Sequence, residues 1–284
     1  MTRTTPRLLA AGLSAGLLAG TLAACGSGAD VAPTPKPTGS FPGGTITIGV
    51  DTDQPGIGFK SGDTYSGFDV ETAKYVAAKL GVPASKITWV EAQPADREQL
   101  LASGKVDLVF STYSITAERK KKVDFAGPYF EAHQDLLVTR NNDEITGPTT
   151  LNGKTLCSVT GTTSAQLVKS RYKGRISLVE KPEFSDCVAA LATGDKVNAV
   201  TTDDVILAGF AASKKYKGKL KVVGKGFSDE LYGVGVKKGD TQLVDKVNAA
   251  LKDYIKDGSW KKNLDATVGP SGYSLPDPPT PGTS

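Results

Sequence analysis

The chain has 284 residues, 39% hydrophobic and 23% charged, an ordinary globular composition with enough apolar material for one or two cores. Its formal charge of +4 is too mild for a nucleic-acid surface, so no nucleic-acid partner is expected. Beyond the first segment, no apolar run is long enough to span a bilayer.

Arg3 and Arg7 precede an apolar run from Leu8 to Ala24, so residues 1–24 read as a secretory signal peptide. Leu22-Ala23-Ala24-Cys25-Gly26 resembles a bacterial lipobox, in which Cys25 is diacylated and becomes the new N-terminus. Two acyl chains hold a protein stably on a membrane where one does not. The expected location is therefore the outer face of the cell membrane. Residues 25–43, rich in Pro, Thr and Gly without periodicity, read as a flexible tether. Residues 270–284 share that composition and read as a disordered tail.

Thr45 to Val50 alternates like a strand and runs into the turn-rich loop Asp51-Thr52-Asp53-Gln54-Pro55-Gly56. Phe59 to Gly67 reads as a hairpin. Asp69 is placed to cap a helix with Val70, Ala73, Val76, Ala77 and Leu80 on one face, stopped by Gly81. Ile87 to Val90 is a second strand, Pro94 to Ser103 a helix, and Val106 to Phe110 an almost wholly apolar third strand, buried on both faces. This β-α-β-α-β order calls for a mostly parallel sheet flanked by helices. At the third strand's C-terminal end come Ser111, Thr112 and Ser114, then Thr116 as a helix cap with Glu118 in the first turn. Arg119 sits one turn in. A planar, permanently charged fork over hydroxyls and free N–H groups is a carboxylate receptor, placed where open α/β sheets bind ligands. The plainer alternative is a surface Arg119 bridged to Glu118 or Asp124.

Leu136 to Thr139 is a strand leading outward, and a second β-α-β-α-β unit follows. It comprises strands Thr155–Val159, Ile176–Val179 and Val197–Val200 with helices Ser164–Arg171 and Ser185–Thr193. A helix Asp204–Lys214, a strand Leu220–Val223, a returning strand Tyr232–Val236 and an amphipathic helix Thr241–Lys256 complete the body. Thr160-Gly161-Thr162-Thr163-Ser164 joins a strand to a helix, either as an anion site or as simple N-capping by Thr163 or Ser164. Cys157 and Cys187 remain as an even pair, read as a disulfide or as two separate buried thiols. His133 is the only histidine and gives no basis for a metal site or for acid–base catalysis.

The pattern Gly104-Lys105-Val106-Asp107 … Ser114-Ile115-Thr116-x-Glu118-Arg119 … Val123-Asp124-Phe125-x-x-Pro128-Tyr129 resembles the signature of polar-amino-acid-binding proteins of ABC importers. The likeness runs from about Thr45 to Gly269 and is greatest to their glutamate/glutamine-binding lipoproteins. It implies a two-lobed α/β fold of the type II periplasmic-binding kind, each lobe a mostly parallel sheet flanked by helices, with a ligand cleft between. Lobe one would take residues 44–128 and 233–269, lobe two 134–227, and the hinge crossovers 129–133 and 228–232. By resemblance, Arg119 with Thr112, Tyr113 and Ser114 would hold the α-carboxylate and Asp203 the α-ammonium. Asp51 and Gln54 would touch the amino group and side chain. Arg97, with Gln54, Thr162, Thr163 and Ser164, would form the side-chain end; alternatively Arg97 is a surface residue paired with Asp96 or Glu98. Relatives often carry a basic residue where this chain has Val159. The Cys157–Cys187 disulfide is implied as well.

The implied function is capture of a free amino acid, glutamate first and then glutamine or aspartate, by hinge closure and delivery to an ABC permease. The resemblance implies a monomer without cofactor, metal or catalytic residues. Two alternatives are a lipoprotein presenting the amino acid to a membrane kinase and a dehydratase-like enzyme on the same scaffold.

Overall fold

The computed structural model describes residue 41 and residues 44–283. The predicted signal peptide, Cys25 and nearly all of the tether lie outside the described residues. The first half supplies β1 (Ile46–Val50), β2 (Asp53–Gln54), β3 (Gly58–Ser61), β4 (Thr64–Ser66), α1 (Phe68–Lys79), β5 (Ile87–Glu91), α2 (Arg97–Ala102), β6 (Leu108–Phe110), α3 (Ala117–Lys120) and the long β7 (Val123–Ala132). The middle supplies β8 (Gln134–Thr139), β9 (Thr155–Val159), α4 (Thr163–Arg171), β10 (Ser177–Lys181), α5 (Phe184–Thr193), β11 (Ala199–Asp203), α6 (Asp204–Ala212) and β12 (Leu220–Val222). The chain returns through β13 (Glu230–Lys237), α7 (Thr241–Lys256) and α8 (Ser259–Thr267).

These strands form two five-stranded sheets, β5-β1-β6-β13-β7 and β10-β9-β11-β8-β12, beside a small sheet β2-β3-β4. In the first, β1 pairs parallel with β5 and β6, and β13 runs antiparallel to β6 and β7. In the second, β9 pairs parallel with β10 and β11, and β8 runs antiparallel to β11 and β12. The middle strands β6 and β11 are buried at every residue, β6 as an apolar run and β11 ending in Thr201, Thr202 and Asp203. The chain passes from one sheet to the other twice, at His133 between β7 and β8 and between β12 and β13.

Phe68 anchors the core of the first sheet, with ring centroids 5.6 Å from Phe130, 5.9 Å from Trp260 and 6.3 Å from Tyr129. Trp260 belongs to α8, which the sequence reading missed; its indole Nε1 donates to the Tyr129 carbonyl at 2.8 Å. Asp69 does not cap α1. That helix starts at Phe68 after Gly67, and the Asp69 carboxylate instead accepts from the Thr112 N–H at 2.8 Å and the Tyr129 hydroxyl at 2.7 Å. Residues 270–283 differ from the expected disordered tail. Tyr273 and Leu275 pack against the core, Pro281 is buried, and the Gly282 N–H donates to the Gly127 carbonyl at 2.7 Å. Composition counts the prolines and glycines of this stretch but misses the few apolar side chains that dock it.

Cys157 of β9 and Cys187 of α5 form a disulfide between fully buried residues, with Cα atoms 5.4 Å apart and a sequence separation of 30. Closing a loop of that length stabilises by roughly 3–4 kcal/mol. Replacing both cysteines with alanine is expected to lower the unfolding free energy by about 3 kcal/mol while the protein still folds, as read by denaturant melts. An unchanged midpoint and slope would show that the bond adds nothing to stability.

Candidate functional site

The site grows from the end of β6. After Phe110 the chain enters Ser111-Thr112-Tyr113-Ser114, all buried. Thr112 adopts φ +43°, a left-handed conformation that costs a non-glycine residue free energy and is found mostly where the surroundings enforce it. Here the Asp69 carboxylate takes the Thr112 N–H and the Gln54 amide donates to its Oγ1 at 3.0 Å. The loop is also zipped to β13: the Gly233 N–H donates to the Tyr113 carbonyl at 3.0 Å and the Ile115 N–H to the Leu231 carbonyl at 2.8 Å. Thr116 caps α3 as expected, accepting from the Arg119 N–H at 3.2 Å.

Arg119 turns inward. Its Nη1 donates to the Ser114 carbonyl at 2.8 Å, its Nη2 to the Gly161 carbonyl at 3.1 Å, and its Nε lies 3.8 Å from Glu98. The surface pairing with Glu118 or Asp124 does not occur, because those residues pair with Lys121 and Lys238. A guanidinium carries five N–H donors, so Arg119 keeps further protons for a ligand after these contacts. Arg97 is 2% exposed and pairs with neither Asp96 nor Glu98. Its Nε has no hydrogen-bond partner, and no carboxylate lies within ion-pair distance among the described residues. Both guanidiniums lie over the Tyr113 ring, Arg97 at 5.1 Å and Arg119 at 5.0 Å from its centroid. Burial, followed by the nearby Arg97 charge, lowers the Arg119 pKa.

The second sheet brings its own strand ends to the same place. Thr162 caps α4, accepting from the Ala165 N–H at 3.0 Å, so the capping role falls to Thr162 rather than to Thr163 or Ser164. Gly161 needs glycine twice over: its φ is +85°, and a Cβ there would lie 2.7 Å from the Ala95 backbone of the first lobe. Thr163 donates to Glu230 Oε2 at 2.9 Å. Asp203 ends β11, accepting from the Tyr232 hydroxyl at 2.6 Å, with the Ser164 hydroxyl at 3.5 Å. Burial, with Glu230 nearby, pushes the Asp203 carboxyl up to about 8. Asp204 takes the local contacts, accepting from its neighbours' Val205 and His133 N–H groups at 2.8 and 3.1 Å. His133 lies at the first crossover, 3.5 Å from Asp204 and 3.6 Å from Asp229.

The space between the two sets of strand ends is narrow, about 10 Å³, room for roughly one water. Arg97, Thr112, Ser114 and Arg119 line it from one side, and Thr162, Thr163 and Asp203 from the other. Phe184, Thr202 and Ile206 also line it and were not anticipated. Phe184 and Ile206 looked like ordinary core residues in the first turns of apolar helices; their only signal was position just after strands β10 and β11. Asp51, Gln54, Tyr113 and Ser164 are not on the lining. Gln54 is fully buried behind Thr112 and donates to Asp51 at 3.2 Å, while burial pushes Asp51 up to about 7. These two position Thr112 instead of facing the space. A wider groove of about 1,070 Å³ runs along one face of α6 toward Tyr273, away from both arginines.

Residues 46–269 match the family of bacterial extracellular solute-binding proteins, family 3. The glutamate-binding protein GluB of Corynebacterium glutamicum is 41% identical over 80% of this chain and 79% of its own length. The ABC transporter glutamine-binding protein GlnH of Bacillus subtilis is 35% identical over 76% of this chain and 78% of its own. Among solved structures, an ancestral arginine-binding protein bound to glutamine superposes with a TM-score of 0.73 at 36% identity, covering 80% of this chain and 98% of that one. With its two sheets, its paired crossovers and its lining of hydroxyls and arginines between them, the chain belongs to family 3 of the bacterial extracellular solute-binding proteins.

Proposed function

We propose that this protein captures free glutamate outside the cytoplasm by closing its lobes around it, and hands the amino acid to an ABC permease. The observation that carries the ligand assignment is Arg97, a buried guanidinium with an unpartnered Nε beside a second buried arginine. The ionisable residues lining the space are Arg97, Arg119 and Asp203, two cations and one carboxyl that an arriving ammonium would ionise. Glutamate supplies the complement, two carboxylates and one ammonium. Arg119 with Ser114 and Thr112 receives the α-carboxylate, Asp203 the ammonium, and Arg97 the side-chain carboxylate. Because the cations and Asp203 come from different lobes, a zwitterion binds the closed arrangement better than an open one, and that difference drives closure. The names of the relatives support the same class of ligand. The protein is held at the outer face of the membrane by lipid on Cys25.

Glutamine would leave the buried Arg97 charge without a counter-ion, a loss of a few kcal/mol. Calorimetry should therefore place glutamate about 10- to 100-fold ahead of glutamine at neutral pH, with aspartate weaker because it is one methylene shorter. Arg97→Gln should narrow or invert the ratio without abolishing binding. Glutamine ahead in the wild type, or an unmoved ratio in the variant, contradicts the assignment.

Asp203→Asn separates binding from stability. Losing one partner of a desolvated charge pair should weaken binding by about two to four decades. The unliganded variant should nonetheless gain thermal stability at pH 8. In the folded protein this carboxyl holds its proton up to about 8, whereas the unfolded one ionises near pH 4, so the acid form costs folding stability as pH rises through that window. Thermal melts from pH 4 to 8 should show a shallower decline for Asn; equal slopes would place Asp203 outside the buried site.

Cys25→Ser should move the exported protein from the membrane to the soluble fraction or leave the precursor uncleaved. Soluble wild-type protein with an N-terminus elsewhere than Cys25 would refute the anchor.

A further inference from the structure

Asp53 reads from sequence as a solvated turn residue, and it does not line the ligand space. Its position is nevertheless unusual. It lies on β2, in the small sheet of the first lobe, and its Oδ2 accepts the Ser185 N–H of α5, in the second lobe, at 2.7 Å. The free N–H groups of a helix's first turn need an acceptor, normally the side chain of the N-cap residue. On α5 that residue is Glu183, and its side chain makes no capping bond. Glu183 instead receives the Gln93 amide, also from the first lobe. The helix is therefore capped across the cleft, by a residue 132 positions away in sequence.

Three further features fix this contact. The Asp53 N–H donates to Asp51 Oδ1 at 2.8 Å, which orients the turn from which the carboxylate projects. Pro55, two residues on, presses its carbonyl so closely on Gly209 of α6 that a Cβ could not fit there. Phe184, adjacent to Ser185, lines the ligand space, so the capped turn is the one that carries a wall of the site. Opening the lobes would strip α5 of its cap and return a helix N-terminus to water.

We infer that Asp53 sets the affinity of the site without touching the ligand, by supplying in the closed arrangement the N-cap that α5 lacks on its own. The groups facing it are mostly acidic: Asp51, Glu183 and Asp186, beside the Ser185 N–H and hydroxyl. The contact therefore works as a hydrogen bond rather than as an ion pair. Asparagine, an equally good N-cap, should replace aspartate, whereas alanine should not.

The inference rests on the proposed amino-acid capture, and the test keeps the two apart. Full-length wild type, Asp53→Ala and Asp53→Asn would be compared by glutamate calorimetry, stopped-flow dissociation and transfer efficiency between dyes placed on the two lobes. Asp53→Ala should bind about three- to thirtyfold more weakly, through faster dissociation, with the ranking of amino acids and the unliganded melting temperature unchanged. Asp53→Asn should stay within about threefold of the wild type. Wild-type affinity in the alanine variant overturns the inference, as does equal impairment of both variants accompanied by a lower melting temperature. If the wild type binds no amino acid, the capture reading fails by itself. The unliganded transfer efficiencies then decide the cap: a smaller closed fraction for alanine than for asparagine and wild type supports it, and equal fractions overturn it.

Discussion

Two arginine side chains share one buried tyrosine ring, and much of the site is an answer to that arrangement. Like charges held near one another away from water are costly unless opposite charge or well-aimed acceptors lie nearby. For Arg119 the protein supplies the Ser114 and Gly161 carbonyls and, further off, Glu98. For Arg97 it supplies the face of Tyr113 and leaves Nε without a partner. An orphaned donor at 2% exposure is rare in folded proteins. It makes sense where the missing acceptor arrives with a ligand.

Around this pair, the backbone is held by carboxylates used as hydrogen-bond acceptors rather than as counter-ions. Asp69 pins Thr112 in its left-handed conformation while also accepting from Tyr129, and burial pushes Asp69 up to about 6. Asp51 and Gln54 support the same threonine from behind. On the opposite side, Asp203 is fixed by the Tyr232 hydroxyl, which lies on β13, one of the two strands leading between the sheets. The site's geometry is thus wired into the crossovers. A change in lobe orientation cannot leave Tyr232, Asp203 and the hydroxyl loop all in place, because Ser114 also bridges to Tyr232.

Most of the framework was legible in the sequence because hydrophobic periodicity reports burial directly. The almost wholly apolar run Val106–Phe110 contains the central strand β6, the strand expected at Val197–Val200 overlaps the central β11 (Ala199–Asp203), and the amphipathic pattern of Thr241–Lys256 coincides with α7. What escaped were features set by distant contacts. Helix α8 is short and mostly polar, and only its Trp260 and Leu264 are buried. The chain end docks through a few apolar residues among prolines. Two capping roles also differed: Asp69 is taken by the Thr112 loop instead of capping α1, and Thr162, the extended residue before α4, caps that helix in place of Thr163 or Ser164. For the site, residue types after a strand end pointed to Arg119, Thr112 and Ser114, whereas Arg97 and Asp203 were named only through the family resemblance. Neither signal could separate lining residues from those behind them. Gln54 and Asp51 follow a strand just as Thr112 does, and only the packed structure shows that they face the loop. Phe184 and Ile206 carried no signal beyond ordinary apolarity and a place just after strands β10 and β11.

The central claim is that two buried arginines from one lobe and a carboxylate from the other read the three charges of glutamate. A crystal structure of the protein grown with L-glutamate tests it most directly. The account predicts the α-carboxylate on Arg119 with Ser114 and Thr112, the ammonium on Asp203, and the side-chain carboxylate within hydrogen-bonding distance of Arg97. A glutamate whose side chain points away from Arg97, or whose ammonium finds no contact with Asp203, would contradict it.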